Sequence, residues 1–184
     1  MPRLNPIDRS AAPAPVAAQL DGIEKGLGGV PNIFLTMAQS PATLGAYLGL
    51  GQALGSSKLS AALREQIALT VAGINSCDYC ASAHTLLGGK AGLAEDELAR
   101  NLAGSSDDPA TAAALAFAAR IVEAKGFVTD DDLAAVRDAG YDDGQILDIL
   151  TTVVTNVFTN WFNHIAQTEI DFPHVDAGEA ALAH

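Results

Sequence analysis

Charge is scarce in this chain, and positive charge scarcest of all. Only 17% of the 184 residues are charged, against about a quarter in a typical soluble domain. Ten are Lys or Arg and 22 are Asp or Glu, for a net charge of −12. A phosphate backbone is repelled by that balance, which argues against nucleic acid as a partner. So little charge also implies that part of the surface is covered by another subunit. Aromatic residues, which favour strands, make up 5%. No apolar run approaches the roughly 20 residues of a membrane span. The opening Met1-Pro-Arg-Leu-Asn-Pro lacks the apolar stretch of a secretory leader, so a cytoplasmic protein away from the membrane is expected. The two cysteines are too few for a disulfide scaffold, and they lie three residues apart. Such a pair in a chain of this length points to redox chemistry or metal binding. Gly26-Leu-Gly-Gly follows no strand, so it fails as a dinucleotide loop, and no nucleophile elbow is present.

Alanine, the best helix former, is abundant, and hydrophobic residues reach 49%. An all-α protein is expected. The first dozen residues, interrupted by Pro2 and Pro6, read as an extended arm. A short helix over 16–27 ends at Gly28-Gly29. Ser40 before Pro41 opens a helix to 54, and Ser60 caps another over 61–74. Asn75-Ser76 caps a third over 77–91, with a short helix at 95–102. Pro109 opens a helix to 125, and Thr129 with Asp132 starts one to 139. Asp130-Asp131-Asp132 is read as a solvated helix start. Phe34 and Met37 are read as core residues.

The last element carries apolar residues at spacings of three and four, from Ile146 through Val153, Val157 and Trp161 to Ile165. Its other face holds Thr151, Thr152, Thr155, Asn156, Thr159, Asn160 and Asn163. An uncharged polar face is expected to lie half-buried against another helix or a subunit.

Chemistry concentrates in Glu65 through His84. Cys77, Cys80 and His84 are spaced i, i+3, i+7, which puts them on one helix face. Cys77 falls in the first turn, where unpaired N–H groups and the helix dipole favour a thiolate, so position alone makes Cys77 the more acidic thiol. Glu65 sits on an apolar stripe of the preceding helix. A carboxylate there needs a partner, and beside a histidine it is a candidate general base. His164 is read as a boundary histidine satisfied by a backbone carbonyl.

Glu65, Cys77-Asp-Tyr-Cys80 twelve residues later, and then His84 resemble the alkylhydroperoxidase D-like branch of the carboxymuconolactone decarboxylase family. Gly29-Val-Pro-Asn-Ile-Phe34, and the ending from Asn160-Trp-Phe-Asn-His164 to Asp171-Phe-Pro173, look like its peroxidase-related members. The resemblance divides the chain into an arm and short helix (1–27), an alkylhydroperoxidase D-like helical domain (28–173) and a loose C-terminal tail (174–184). It implies an all-α fold assembled as homo-trimers or homo-hexamers, and a thiol-dependent hydroperoxidase serving antioxidant defence. It implies that Cys80 attacks the hydroperoxide, that Cys77 resolves the product to a disulfide, and that a dithiol or lipoyl-type reductant resets the pair. Glu65 and His84 then match the relay that deprotonates the attacking sulfur, and no metal, haem or flavin is implied. The family pattern has a histidine just before the second cysteine. Here that position is Tyr79, a poor base with a reference pKa near 10, able to carry a hydrogen bond in a shortened relay. The cysteine pair argues against lactone decarboxylation. Two other readings stand beside this one. One is a thiol–disulfide adaptor that touches no peroxide. The other is a zinc-binding or structural oligomer using Cys77, Cys80, His84 and either Glu65 or His164.

Overall fold

Caps set where most helices begin. Ser40, Ser60, Asp108, Thr129 and Asp142 each accept a hydrogen bond from the backbone N–H three residues on, which satisfies a donor the helix cannot. The computed structural model describes residues 1–178. Among them the regular structure is helical throughout, so the fold is all-α. The helices are α1 (Ala14–Leu27), α2 (Asn32–Met37), α3 (Pro41–Leu54), α4 (Ala61–Ile74), α5 (Asp78–Lys90), α6 (Glu95–Leu102), α7 (Pro109–Glu123), α8 (Asp130–Asp138) and α9 (Asp143–Ala166). Asp132 completes a capping box at the start of α8 and pairs with Arg120.

The hub is α4, which packs against α5, α6, α7 and α9. From Gln66 to Ala72 it is buried at every position. Gly73 lets α6 come closer still, because a Cβ there would collide with the Leu102 carbonyl oxygen. One apolar cluster joins α4 to α7, α8 and α9 around Ile67, Leu115 and Ile149. A second joins α1, α2, α3 and α5 around Leu20, Met37 and Leu44, and it contains both cysteines.

The structure differs from the sequence expectation in three places. Phe34 and Met37 belong to a short helix, α2, whose burial against α1 and α3 stabilises what six residues would not hold alone. The cap of α5 is Cys77 and not the Asn75-Ser76 pair, because Ser76 takes a left-handed φ of +51° that swings the chain one residue further. The tail reading fails over 174–178. There the Val175 and Ala177 N–H groups bond Ser82 Oγ and Asp78 Oδ1, each at 2.9 Å, strapping the chain onto α5. Residues 179–184 of that expected tail lie outside the described residues.

α9 meets the expectation of burial against other helices. Its Thr/Asn face turns inward within this chain, with Thr152, Thr155, Asn156, Thr159, Asn160 and Asn163 all buried. The side chains of Thr152, Thr155, Asn156 and Thr159 bond carbonyls of their own helix, at 2.8–2.9 Å. Polar groups satisfied that way are cheap to bury. The apolar residues divide: Ile146, Ile149 and Val153 face the core, while Leu147, Leu150, Val154, Trp161 and Ile165 face outward.

Candidate active site

Two helix termini create the site. The end of α4 and the left-handed Ser76 deliver Cys77 to the cap of α5, where its Sγ accepts the Cys80 N–H at 3.4 Å. Cys80 follows in the first turn and His84 one turn later. Glu65, on α4, meets His84 across the α4–α5 interface with Nδ1 to Oε2 at 2.7 Å. The two side chains are only 18% and 23% exposed, so water screens this contact weakly. Both cysteines are free thiols and only 2% exposed.

The two thiols are electrostatically unlike. Cys80 is held well below an ordinary thiol, at about 6. A hydrogen bond from Cys77 does most of this against the opposing effect of burial, helped by the charge on His84 and the amides of Asn163 and Asn160. Cys77 is pushed far up by the same hydrogen bond, by burial and by the neighbouring Cys80 charge. The expectation that Cys77 is the more acidic thiol is therefore corrected. Its cap position gives it one backbone donor, while Cys80 collects side-chain donors from two helices. Asn163 Nδ2 donates to Cys80 Sγ at 3.3 Å, and Thr159 Oγ1 lies 3.9 Å from it. Burial disfavours charge on His84, but the Glu65 carboxylate outweighs it and the pKa is raised. The carboxylate thus favours the charged form of the ring, close to the Cys80 sulfur.

A cavity of about 400 Å³ opens above Cys80 and His84, and Cys77 is not among its lining residues. Leu27, Val30, Ile33, Phe34, Leu86 and Phe172 make its walls mostly apolar. Tyr47 lines it too, stacked on Phe158 with Phe34 tilted against it, its hydroxyl pushed up to about 12 by burial and by the negative charges of Cys80 and Glu65.

Tyr79 also lines the cavity, but its hydrogen bonds run away from the sulfurs. The hydroxyl donates to Asp171 Oδ1 at 2.9 Å and accepts the Ile33 N–H at 3.2 Å. Burial raises its pKa, so it holds its proton. Asp171 Oδ2 in turn accepts the Asn32 N–H at 2.8 Å, and Phe172 meets the Tyr79 ring edge-on. Tyr79 therefore ties the start of α2 and the C-terminal strap to α5. His164 lies at the Ser76 carbonyl, 3.4 Å away, and does not line the cavity. The structure thus brings Cys77, Cys80, His84 and Glu65 together and leaves His164 at the edge. Asn163, Tyr47 and Asp171 were not singled out as site residues in the sequence. The Thr/Asn face of α9 was the signal for Asn163, but it was read as a packing surface. Among the described residues, no group of three His, Cys, Asp or Glu side chains is arranged to hold a metal ion, and no helix is long and apolar enough to cross a membrane.

Residues 41–124, which carry the four converging side chains, match the model of the carboxymuconolactone decarboxylase family. That match spans a little under half of the chain. The fold extends the likeness. A peroxidase-related protein from Ralstonia eutropha JMP134, described as an alkylhydroperoxidase AhpD core, is 26% identical over 92% of each chain, with a TM-score of 0.83. A peroxidase-related protein from Silicibacter sp. TM1040 is 27% identical over 91% of this chain and 92% of its own, with a TM-score of 0.77. The debrominase Bmp8, also solved as an alanine variant with 2,3,4-tribromopyrrole, shares the fold at a TM-score of 0.78 and 24% identity over 92% of each chain. No curated protein matches the chain.

Proposed function

We propose that this protein is a thiol-dependent hydroperoxidase in which Cys80 attacks and Cys77 resolves. The observation that carries the reading is the asymmetry of the pair. The acidic thiol lines the cavity, and the protonated one lies behind it, out of a substrate's reach but next to its partner. The Cys80 thiolate attacks the terminal oxygen of R–O–OH, forming an S–O bond as the O–O bond breaks. Sulfur is oxidised to sulfenic acid, and the alkoxide leaves and takes a proton. The His84–Glu65 pair is the proton source within the cavity. Cys77 then attacks the Cys80 sulfur, water leaves, and a disulfide remains. A dithiol reductant returns both thiols and is itself oxidised to a disulfide.

The apolar walls and the volume favour a compact organic hydroperoxide over a bulky lipid one. Tyr79 acts here as a strut that keeps the α2 edge and the strap in place around the substrate. A sulfur pair this recessed suits a slender, lipoyl-type dithiol better than the face of another protein, which disfavours the pure adaptor reading. The reducing chemistry fits the cytoplasm and antioxidant defence. We further propose that copies assemble into a homo-trimer or homo-hexamer across the apolar outer stripe of α9, which a lone chain would leave in water.

Steady-state consumption of cumene hydroperoxide with dihydrolipoamide tests the reading. The wild type should turn over, Cys80→Ser should be inert, and Cys77→Ser should reduce about one equivalent and stop. Turnover that survives in Cys80→Ser would overturn it.

A further inference from the structure

The buried polar face of α9 has more hydrogen-bonding capacity than its packing uses. Among the described residues, five buried side-chain atoms have no partner, and three of them flank the cysteines: Ser76 Oγ, Asn160 Nδ2 and Asn163 Oδ1. Asn160 is fully buried and Asn163 is 5% exposed. A buried polar atom left unpaired is destabilising, so a cluster of them at one site calls for a reason. Apolar residues of similar size would fill the same space without that penalty.

The orientation of each amide is fixed. Asn163 presents Nδ2 to Cys80 Sγ at 3.3 Å, the arrangement a thiolate requires, since it can only accept. Asn160 Oδ1 is tied down by Asn75 Nδ2 at 2.9 Å, from the C-terminal cap of α4, and this leaves Asn160 Nδ2 as the free end. The two residues are three apart on one helix and therefore face the same side. Thr159, though near the sulfur, donates its hydroxyl to the Asn156 carbonyl at 2.9 Å and so offers the thiolate no proton. Beside the Cys77 thiol, the amides are left to donate.

We propose that Asn163 and Asn160 form a two-amide cradle for Cys80, in which Asn163 holds the thiolate and the unpaired Asn160 Nδ2 receives the oxygen that sulfur acquires. This rests on the hydroperoxidase reading above and adds two catalytic residues to it. In the attack, the S–O bond forms while the O–O bond breaks, and the electron pair leaves with the alkoxide. Asn160 donates to the transferred oxygen as it develops, its carbonyl end held by Asn75. When Cys77 displaces that oxygen as water, Asn160 is free again.

The division of labour makes the proposal testable. Asn163→Leu should raise the Cys80 thiolate midpoint by about one pH unit, read as 240 nm absorbance in the Cys77→Ser background. Asn160→Leu should raise that midpoint by less, since its amide is the smaller of the two contributions. At a pH well above the midpoint, where the sulfur is thiolate in every variant, Asn160→Leu should still slow sulfenic acid formation at least tenfold. Far-UV circular dichroism and melting of each variant report the fold, and Asn160→Gln and Asn163→Gln serve as donor-retaining variants, expected to recover part of the effect. If Asn160→Leu shifts the midpoint as far as Asn163→Leu does, or leaves the rate above the midpoint unchanged, the cradle is refuted and the amides are packing residues. The titration needs no peroxide, so a wild type inert to hydroperoxides would sink the functional reading while the midpoint shift still stood.

Discussion

Removing the Cys77 thiol should make Cys80 an ordinary, slower cysteine. With its midpoint at about 6, Cys80 is about 90% thiolate at pH 7, against about 3% for an unperturbed cysteine. The hydrogen bond from Cys77 is the leading cause of that difference. A bond to a charged acceptor is worth about 1.5–3 kcal/mol, or one to two pH units. Cys77→Ala removes the donor and leaves burial, which pushes the other way. The midpoint should rise to about 8, and alkylation of Cys80 by iodoacetamide at pH 7 should slow about tenfold. Cys77→Ser keeps a hydroxyl donor and should fall between the two. Wild-type reactivity should be lost as pH falls through about 6 and become flat above about 7.5. The reciprocal variant, Cys80→Ser, should leave a Cys77 that titrates above the ordinary range. A midpoint unmoved in Cys77→Ala, or a lone Cys77 titrating near 6, would refute the assignment of the two sulfurs.

Other parts of the structure yield further expectations. Glu97 accepts hydrogen bonds from Ser106, Asn101 and Gln66 and pairs with Arg100, its side chain 16% exposed. Its pKa is lowered to about 2, first by the Ser106 hydroxyl and against the pull of burial. Because the folded value is depressed, this stabilisation is fully present above about 4.5, the ordinary carboxyl value, and is lost as pH falls toward 2. Glu97→Gln should remove about 2 kcal/mol at pH 7 and flatten the acid side of the stability curve, measured by urea unfolding across pH. Trp161 is 59% exposed on the outer stripe of α9. Trp161→Glu should shift the protein to a smaller species by light scattering while leaving helicity unchanged; an unchanged mass would place the interface elsewhere. Tyr79→Phe strands Ile33 N–H and one oxygen of Asp171. It should raise KM for organic hydroperoxides more than it lowers kcat, and an equal fall in both would mean that the phenol serves the chemistry itself.

Much of the fold was legible because helix starts are written locally. Ser40-Pro41, Ser60, Pro109 and Thr129-x-x-Asp132 each act over one turn, and the structure begins helices there. The convergence of Cys77, Cys80 and His84 was legible for the same reason, and Glu65 because an acid on an apolar stripe demands a partner. What escaped depends on contacts distant in sequence. Asp171 reaches Tyr79 across 92 residues, and nothing local to either announces the pairing. The relative acidity of the thiols turns on which sulfur donates to the other, with added donors from α9, and the spacing of the Cys-x-x-Cys motif reveals neither. The polar face of α9 was expected to be half-buried against a helix or a subunit, and it is fully buried within the chain because side chains that bond their own backbone behave as apolar ones.

The central claim is that Cys80 is the sulfur a hydroperoxide oxidises. Its most direct test is peptide mass spectrometry after mixing reduced Cys77→Ser with one equivalent of cumene hydroperoxide in the presence of dimedone. A dimedone adduct at Cys80, absent from Cys80→Ser treated in the same way, is the predicted result. An adduct at Cys77 in Cys80→Ser, with Cys80 unmodified in Cys77→Ser, would contradict it.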